Sequence, residues 1–227
     1  MELRKATRKK AKLKIGLSWP SGSGKTMSSL KLARGLATSW DKVAIIDTEN
    51  WSGELYSHIG EYNAITLTEF KPSDYINAIK LAEDAWMEVI IIDSITHEWK
   101  YLLDQVDKIT QASASKNSYT AWAKITPHHD NFVQTILQAK CHIITTVRSK
   151  QDYDMSKNDY GKTVVTKVGM KTETRDWFEY ELTVSLDIDI KHNATASKDR
   201  TWLFDWEVFT ISEDTGKKLL EWAESGE

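Results

Sequence analysis

Between an alternating segment, Leu13-Lys14-Ile15-Gly16-Leu17, and a run in which Leu30, Leu32, Ala33, Leu36 and Ala37 recur at helical spacing, the chain carries Ser21-Gly22-Ser23-Gly24-Lys25-Thr26. The order strand, glycine-rich turn, helix points to an α/β architecture built around that turn. Glycines lack Cβ, so successive backbone N–H groups can close around an anion. The helix that follows aims its positive N-terminus at the same place. Lys25 is placed to reach β- and γ-phosphates, and the Thr26 hydroxyl to ligate Mg²⁺. Ser21, Gly22, Ser23, Gly24, Lys25, Thr26 and Met27 are therefore the candidate ATP-binding residues. One departure is plain: the spacing G-x-x-x-x-G-K-[ST] asks for glycine at position 19, and Trp19 stands there.

Downstream, strand-like and helix-like segments alternate. Val43-Ala44-Ile45-Ile46-Asp47 is rich in β-formers and ends in an acid. Residues 64–70 read as another strand. Ser73 reads as an N-cap for a helix through Trp86, with Ile76, Ile79, Ala82 and Trp86 inward. Val89-Ile90-Ile91-Ile92 is a continuous apolar run, the signature of a strand buried on both faces of a parallel sheet. A helix is expected over about 95–109 and another over about 119–139, with Pro127 a possible kink or break. Residues 141–147 read as a strand and 148–175 as a polar loop. Residues 180–190 alternate like a strand, 201–211 hold more β-type residues, and 214–224 suit a closing helix. This alternation predicts a mainly parallel central sheet flanked by helices, with additional C-terminal strands. It groups residues 13–227 into one domain behind a basic segment, 1–12.

Charge sharpens that boundary. The net charge is −3, yet residues 1–14 hold seven Lys/Arg against Glu2, which leaves the remainder at −9. Such an arm suits a nucleic acid, a partner or plain solvation. No apolar run approaches the roughly 20 residues that span a bilayer. No apolar stretch follows the basic start as in a secretory signal. Cys141 is the single cysteine, so neither an intrachain disulfide nor a multi-cysteine zinc site is possible. His128 and His129 are adjacent and point apart on a helix, a poor chelating pair. These features predict a soluble cytoplasmic protein with no membrane partner. For the ten tryptophans, core packing is the default.

Hydrolysis of a nucleotide needs a second carboxylate for Mg²⁺, a group that orients water, and positive charge for the transition state. Asp93 ends the most apolar strand, where α/β sheets place ligand chemistry; the alternative is a carboxylate that caps the next helix. Asp47 and Glu49 end a second strand. If that strand neighbours the strand before the loop, one of them faces the γ-phosphate, and Glu49 is the candidate base.

Several segments carry a family resemblance. Ile46-Asp47-Thr48-Glu49 resembles the strand end of RecA-type recombinase cores, whose glutamate activates water, and Ile92-Asp93-Ser94 resembles their Walker B segment. The chain is still more similar to phage-encoded, core-only AAA/RecA-like ATPases associated with single-strand annealing proteins. Residues 16–26, 47–50, 92–94, 122–127, 148–151 and 196–201 carry that likeness. It implies a RecA-like fold and a Mg²⁺-dependent, DNA-stimulated ATPase that self-associates as a ring or filament. It also implies single-stranded DNA and a phage annealing or single-strand-binding protein as partners, in a bacterial host. By the same resemblance Tyr56, seven residues after Glu49, packs on adenine. Lys198 and Arg200 match a Lys-x-Arg pair that completes a neighbour's site, the alternative being two solvated cations. Thr146 stands where such cores carry a γ-phosphate-sensing glutamine. The segment after it occupies the DNA-binding position, with Arg148, Lys150, Tyr153, Lys157, Tyr160 and Lys162 as candidate contacts; the alternative is a solvated β-hairpin. Two rival functions stay open: a nucleotide-dependent DNA-binding or loader module with little hydrolysis, and a P-loop kinase acting on a small molecule.

Overall fold

The computed structural model describes residues 11–114, 116–157, 163–175 and 177–226. In chain order its elements are β1 (Lys14–Trp19), α1 (Lys25–Leu36), β2 (Val43–Asp47), β3 (Asn63–Thr66), α2 (Pro72–Asp84), β4 (Val89–Asp93), α3 (Thr96–Ala112) and α4 (Ser118–Gln138). There follow β5 (His142–Lys157), β6 (Thr163–Thr172), α5 (Phe178–Glu181), β7 (Val184–Ile188), β8 (Ala194–Asp199), β9 (Val208–Phe209) and α6 (Glu213–Glu224). Most of the basic leader, residues 1–10, lies outside the described residues. Among the described residues no helix is long and apolar enough to cross a membrane.

Among the described residues nine strands form a mixed, mostly parallel sheet in the order β3-β2-β4-β5-β1-β7-β8-β9, with β6 paired to the outer part of β5. Parallel pairing runs from β3 to β7; β8 and β9 add antiparallel strands. Alternation along each strand divides the apolar residues between two faces. Ile15, Leu17, Ile45, Ile91 and Ile144 join a core with α1 and α6. Ala44, Ile46, Ile90, Ile92 and Ile143 join a second core with α2 and α4. Helices therefore cover both faces, and the continuous apolar run of β4 follows from being covered twice. Where α1 meets α6, a Cβ on Gly35 would stand 2.0 Å from the Glu213 carbonyl oxygen, and one on Gly216 would stand 2.3 Å from that of Leu32. Only glycine permits backbones that close.

Several boundaries differ from the sequence expectation. Helix α2 starts at Pro72 rather than after Ser73, because proline's fixed φ suits the first turn and its missing N–H is unneeded there. It stops at Asp84, so Trp86 lies outside the helix and is 81% exposed rather than inward. Pro127 sits inside α4 without ending it. The strand expected over 141–147 continues through Lys157, because β6 supplies an antiparallel partner. Strand β8, unmarked by apolar alternation, exists as a ladder partner of β7. Among the described residues, Trp51, Trp86, Trp177, Trp202 and Trp206 are exposed, against the core-packing default.

The register aligns the C-terminal strand ends. Asp47 lies opposite Asp93, Leu17 opposite Thr146, and Trp19 opposite Arg148. At the other end of β5, His142 is buried and its Nδ1 accepts the Leu13 N–H at 3.1 Å. Burial, and next the charges of Lys12 and Lys14, push its pKa down to about 3. The unfolded chain therefore takes up this proton first as pH falls. We expect stability to drop between about pH 6.5 and 3, by at most about 1.4 kcal/mol per pH unit from this group. Urea unfolding across that range should show the slope reduced in His142→Asn, which keeps an acceptor but does not titrate; an unchanged slope would refute the assignment.

Candidate functional site

The turn between β1 and α1 is shaped by two left-handed glycines, Gly22 at φ 86° and Gly24 at φ 83°, with Gly24 the N-cap of α1. A side chain at either would be strained. His192, from the β7–β8 connection, braces the turn: its Nδ1 lies 2.8 Å from the Ser23 carbonyl oxygen. A carbonyl only accepts, so Nδ1 carries the proton. A trans peptide points its C=O and the following N–H in opposite directions. Fixing the Ser23 carbonyl therefore fixes the direction of the Gly24 N–H, one of the groups that would hold phosphate. The imidazole also closes the space beside Gly24, where a Cβ would meet Nδ1 at 2.9 Å. Nothing in the sequence marks His192; its role comes from a loop brought beside the turn by the β1–β7 pairing.

Lys25 extends from the first turn of α1 and donates to the carbonyls of Trp19 (2.8 Å) and Pro20 (3.0 Å). Position 19 thus serves through its backbone. Burial lowers the Lys25 pKa, opposed by the charges of Asp93 and Glu49. Thr26 donates to Asp93 Oδ2 at 2.6 Å, and Thr146 donates to Asp93 Oδ1. Asp93 is 3% exposed, and its burial pushes its pKa up against the pull of these two hydroxyls. A hydroxyl and a carboxylate facing each other at the mouth of a phosphate-binding turn are hard oxygen donors, which suit Mg²⁺ completed by water and phosphate. The Thr146 hydroxyl is engaged with Asp93 and is fully buried, rather than turned toward the place of a γ-phosphate.

The strand that carries Glu49 does not neighbour β1; β4 and β5 stand between them. Glu49 still lines the cleft, because the chain turns back after β2. Asp47 makes that turn: its carboxylate accepts the N–H groups of Glu49 (2.6 Å) and Gly53 (2.9 Å), a structural task. The Glu49 carboxylate is held by Arg148, whose Nε (3.0 Å) and Nη2 (2.7 Å) both reach Oε1. Arg148, expected from sequence to meet DNA, points into this cleft instead. The cleft encloses about 530 Å³ and is lined by Ser21, Gly22, Gly24, Lys25, Thr26 and Met27 of the turn and α1. Glu49, Tyr56, Asp93, Arg148 and His192 close it. Tyr56 belongs to a 3₁₀ segment, Ser52–Ile59, packed against the core.

Lys198 and Arg200 do not enter the cleft. Both turn to α5: Lys198 donates to the carbonyls of Glu179 (3.0 Å) and Tyr180, and Arg200 to that of Tyr180 (2.8 Å). Burial and the neighbouring Arg200 charge lower the Lys198 pKa. Lys150 lies on β5 opposite Lys171 of β6. Tyr153 and Lys157 are described only by their backbone in β5, and Tyr160 and Lys162 lie outside the described residues. Removing the brace should loosen the turn. His192→Ala is expected to raise the Kd for ATP about 2- to 10-fold, the worth of one hydrogen bond. Calorimetric titration checks this, and wild-type affinity in the variant would refute it.

A family described as an AAA domain matches residues 11–218. No curated protein sequence matches the chain. Among solved structures, the protein is similar to a prototypical ATPase from the type III secretion system of pathogenic bacteria, at 13% identity and a TM-score of 0.46. That match covers 86% of this chain and 65% of the other, so the chain spans a little under two thirds of that relative's length. The family match extends over most of the sequence and includes the phosphate-binding turn and both acidic strand ends; the chain belongs to this AAA-domain family and is a P-loop ATPase domain.

Proposed function

We propose that this domain hydrolyses ATP to ADP and phosphate with Mg²⁺, and that it acts on or with single-stranded DNA in phage-type homologous recombination or single-strand annealing. One observation carries the reading. Lys25, Thr26, Asp93 and Glu49 share a cleft, and the Glu49 carboxylate is tied by Arg148 to the root of the β5–β6 pair. The resemblance to RecA-like phage ATPases supports the DNA assignment.

In this reading the phosphates lie against the turn's N–H groups and the N-terminus of α1, and adenine packs against Tyr56. Lys25 exchanges two neutral carbonyls for an anion. Thr26 and Asp93 would hold Mg²⁺, which would offset phosphate charge in the transition state. Both Arg148 bonds end on Oε1 of Glu49, so Oε2 is the oxygen that takes a hydrogen from the attacking water. DNA seated along β5 and β6 would shift Arg148 and free Glu49, which makes hydrolysis DNA-stimulated. Without DNA, the Arg148–Glu49 bond favours the alternative of a nucleotide-switched loader with little turnover. Thr146 senses the γ-phosphate only through Asp93.

Lys198 and Arg200 turn to α5 rather than to their own cleft, and Trp202 and Trp206, which follow them in the chain, are exposed. Exposed aromatics beside cations suit an interface. We assign this edge to the neighbour's nucleotide in a ring or filament, with a phage annealing or single-strand-binding protein as a further partner in the bacterial cytoplasm.

Phosphate release measured with and without single-stranded DNA tests the reading. Lys25→Ala should abolish turnover. Glu49→Gln should lower kcat about 10²- to 10⁴-fold while ATP still binds. Full activity in Lys25→Ala would sink the ATPase mechanism; wild type that neither binds nor responds to DNA would remove the DNA assignment. For the edge cations, Lys25→Ala and Arg200→Ala are each expected to be inactive alone and to regain part of the activity when mixed. Absence of recovery in assemblies that light scattering shows to be intact would return Arg200 to a structural role.

A further inference from the structure

A second cleft, also about 530 Å³, lies between α3 and the base of the β5–β6 pair. Two indoles form its walls. Trp99 is fixed by stacking on Trp122, ring centroids 5.6 Å apart. Trp177 is 75% exposed and also borders a smaller cavity of about 280 Å³, so space is open on both sides of it. Four cations line the larger cleft, Lys100, Lys150, Lys171 and Arg175, against the two acids Asp152 and Glu173. Lys100 pairs with Glu173 at 3.2 Å, and Arg175 with Asp130 at 3.1 Å.

The placing of two of these cations is the informative point. Lys150 and Lys171 are direct cross-strand partners in the β5–β6 ladder. Here the pair faces a cleft with an excess of positive charge, beside an exposed indole. An anion that also carries a flat apolar face satisfies both features at once.

We propose that this cleft binds single-stranded DNA, with a base stacked on Trp177 and a flanking phosphate on the Lys150/Lys171 rung. The site deepens the DNA reading given above and rests on it. It moves the stacking platform from the tyrosines of the hairpin to tryptophans at its base. Only an unpaired base offers its face to an indole, so single strands are preferred over duplex. The strand enters along β5, within reach of the segment that begins at Arg148.

The test uses the full chain and fluorescein-labelled oligo(dT), with anisotropy read at several salt concentrations. Trp177→Ala is expected to raise Kd about 5- to 100-fold, and Trp177→Phe to restore most of the loss. The double variant Lys150→Gln/Lys171→Gln should weaken binding and reduce the slope of log K against log salt by about 0.7, one phosphate contact on a single strand. DNA-independent ATP turnover should be unchanged in these variants. Trp86→Ala, at another exposed indole, should bind as wild type. If wild type binds DNA and both the Trp177→Ala and the lysine variants bind equally well, this site is overturned and the DNA reading stands. If wild type binds no single-stranded DNA, both fall. Equal wild-type affinity for blunt duplex would overturn the single-strand assignment. Should the lysine variant fail to fold, the surface change Trp177→Ala still decides.

Discussion

The buried carboxylate of Asp93 is the interaction on which the site depends. It ends the most deeply covered strand of the sheet, and accepts hydrogen bonds from Thr26 at the start of α1 and Thr146 on the neighbouring strand. A charge placed there is costly unless it is hydrogen-bonded or neutralised. Those two hydroxyls and the Lys25 ammonium meet part of that need, and a divalent cation bound there would meet the rest. The parallel register makes this possible by bringing β1, β5 and β4 to the same edge in step. The strand order explains why the turn, Asp93 and Glu49 meet there although they lie far apart in the chain.

The turn, the acidic strand end and the α/β class were legible in the sequence because each has a local cause. Gly22 and Gly24 adopt backbone angles that favour glycine, and the four apolar residues of β4 are buried on both sides. Glu49 was legible as a strand-end acid, although its strand is two places further from β1 than the sequence condition supposed. The Arg148–Glu49 bond was hidden, since residues 99 apart meet only through sheet order. His192 was hidden for the same reason. Strand β8 was obscured because four of its six residues are polar and its partner, not its pattern, makes it a strand. Trp86 misled because helical spacing continued past the point where α2 stops.

Arg148 occupies the junction between two environments. On one side it completes the wall of the nucleotide cleft; on the other, β5 leaves the parallel core and pairs with β6. A single continuous strand therefore carries both the hydroxyl that steadies Asp93 and the guanidinium that restrains Glu49. A change in the course of β5 is felt at both carboxylates, and no separate relay of side chains is required.

The glycine contact between α1 and α6 bears on how the molecule is made. Among the described strands β1 is translated first, yet its ladder partners are β5 and β7, and the helix that carries Lys25 closes on Gly216. During synthesis the phosphate-binding turn therefore exists as sequence well before it exists as structure. It waits for β5, β7 and α6 to emerge from the ribosome. Long-range closure of this kind slows folding, and it means that a partly synthesised chain presents the glycine-rich turn without the frame that gives it affinity for nucleotide.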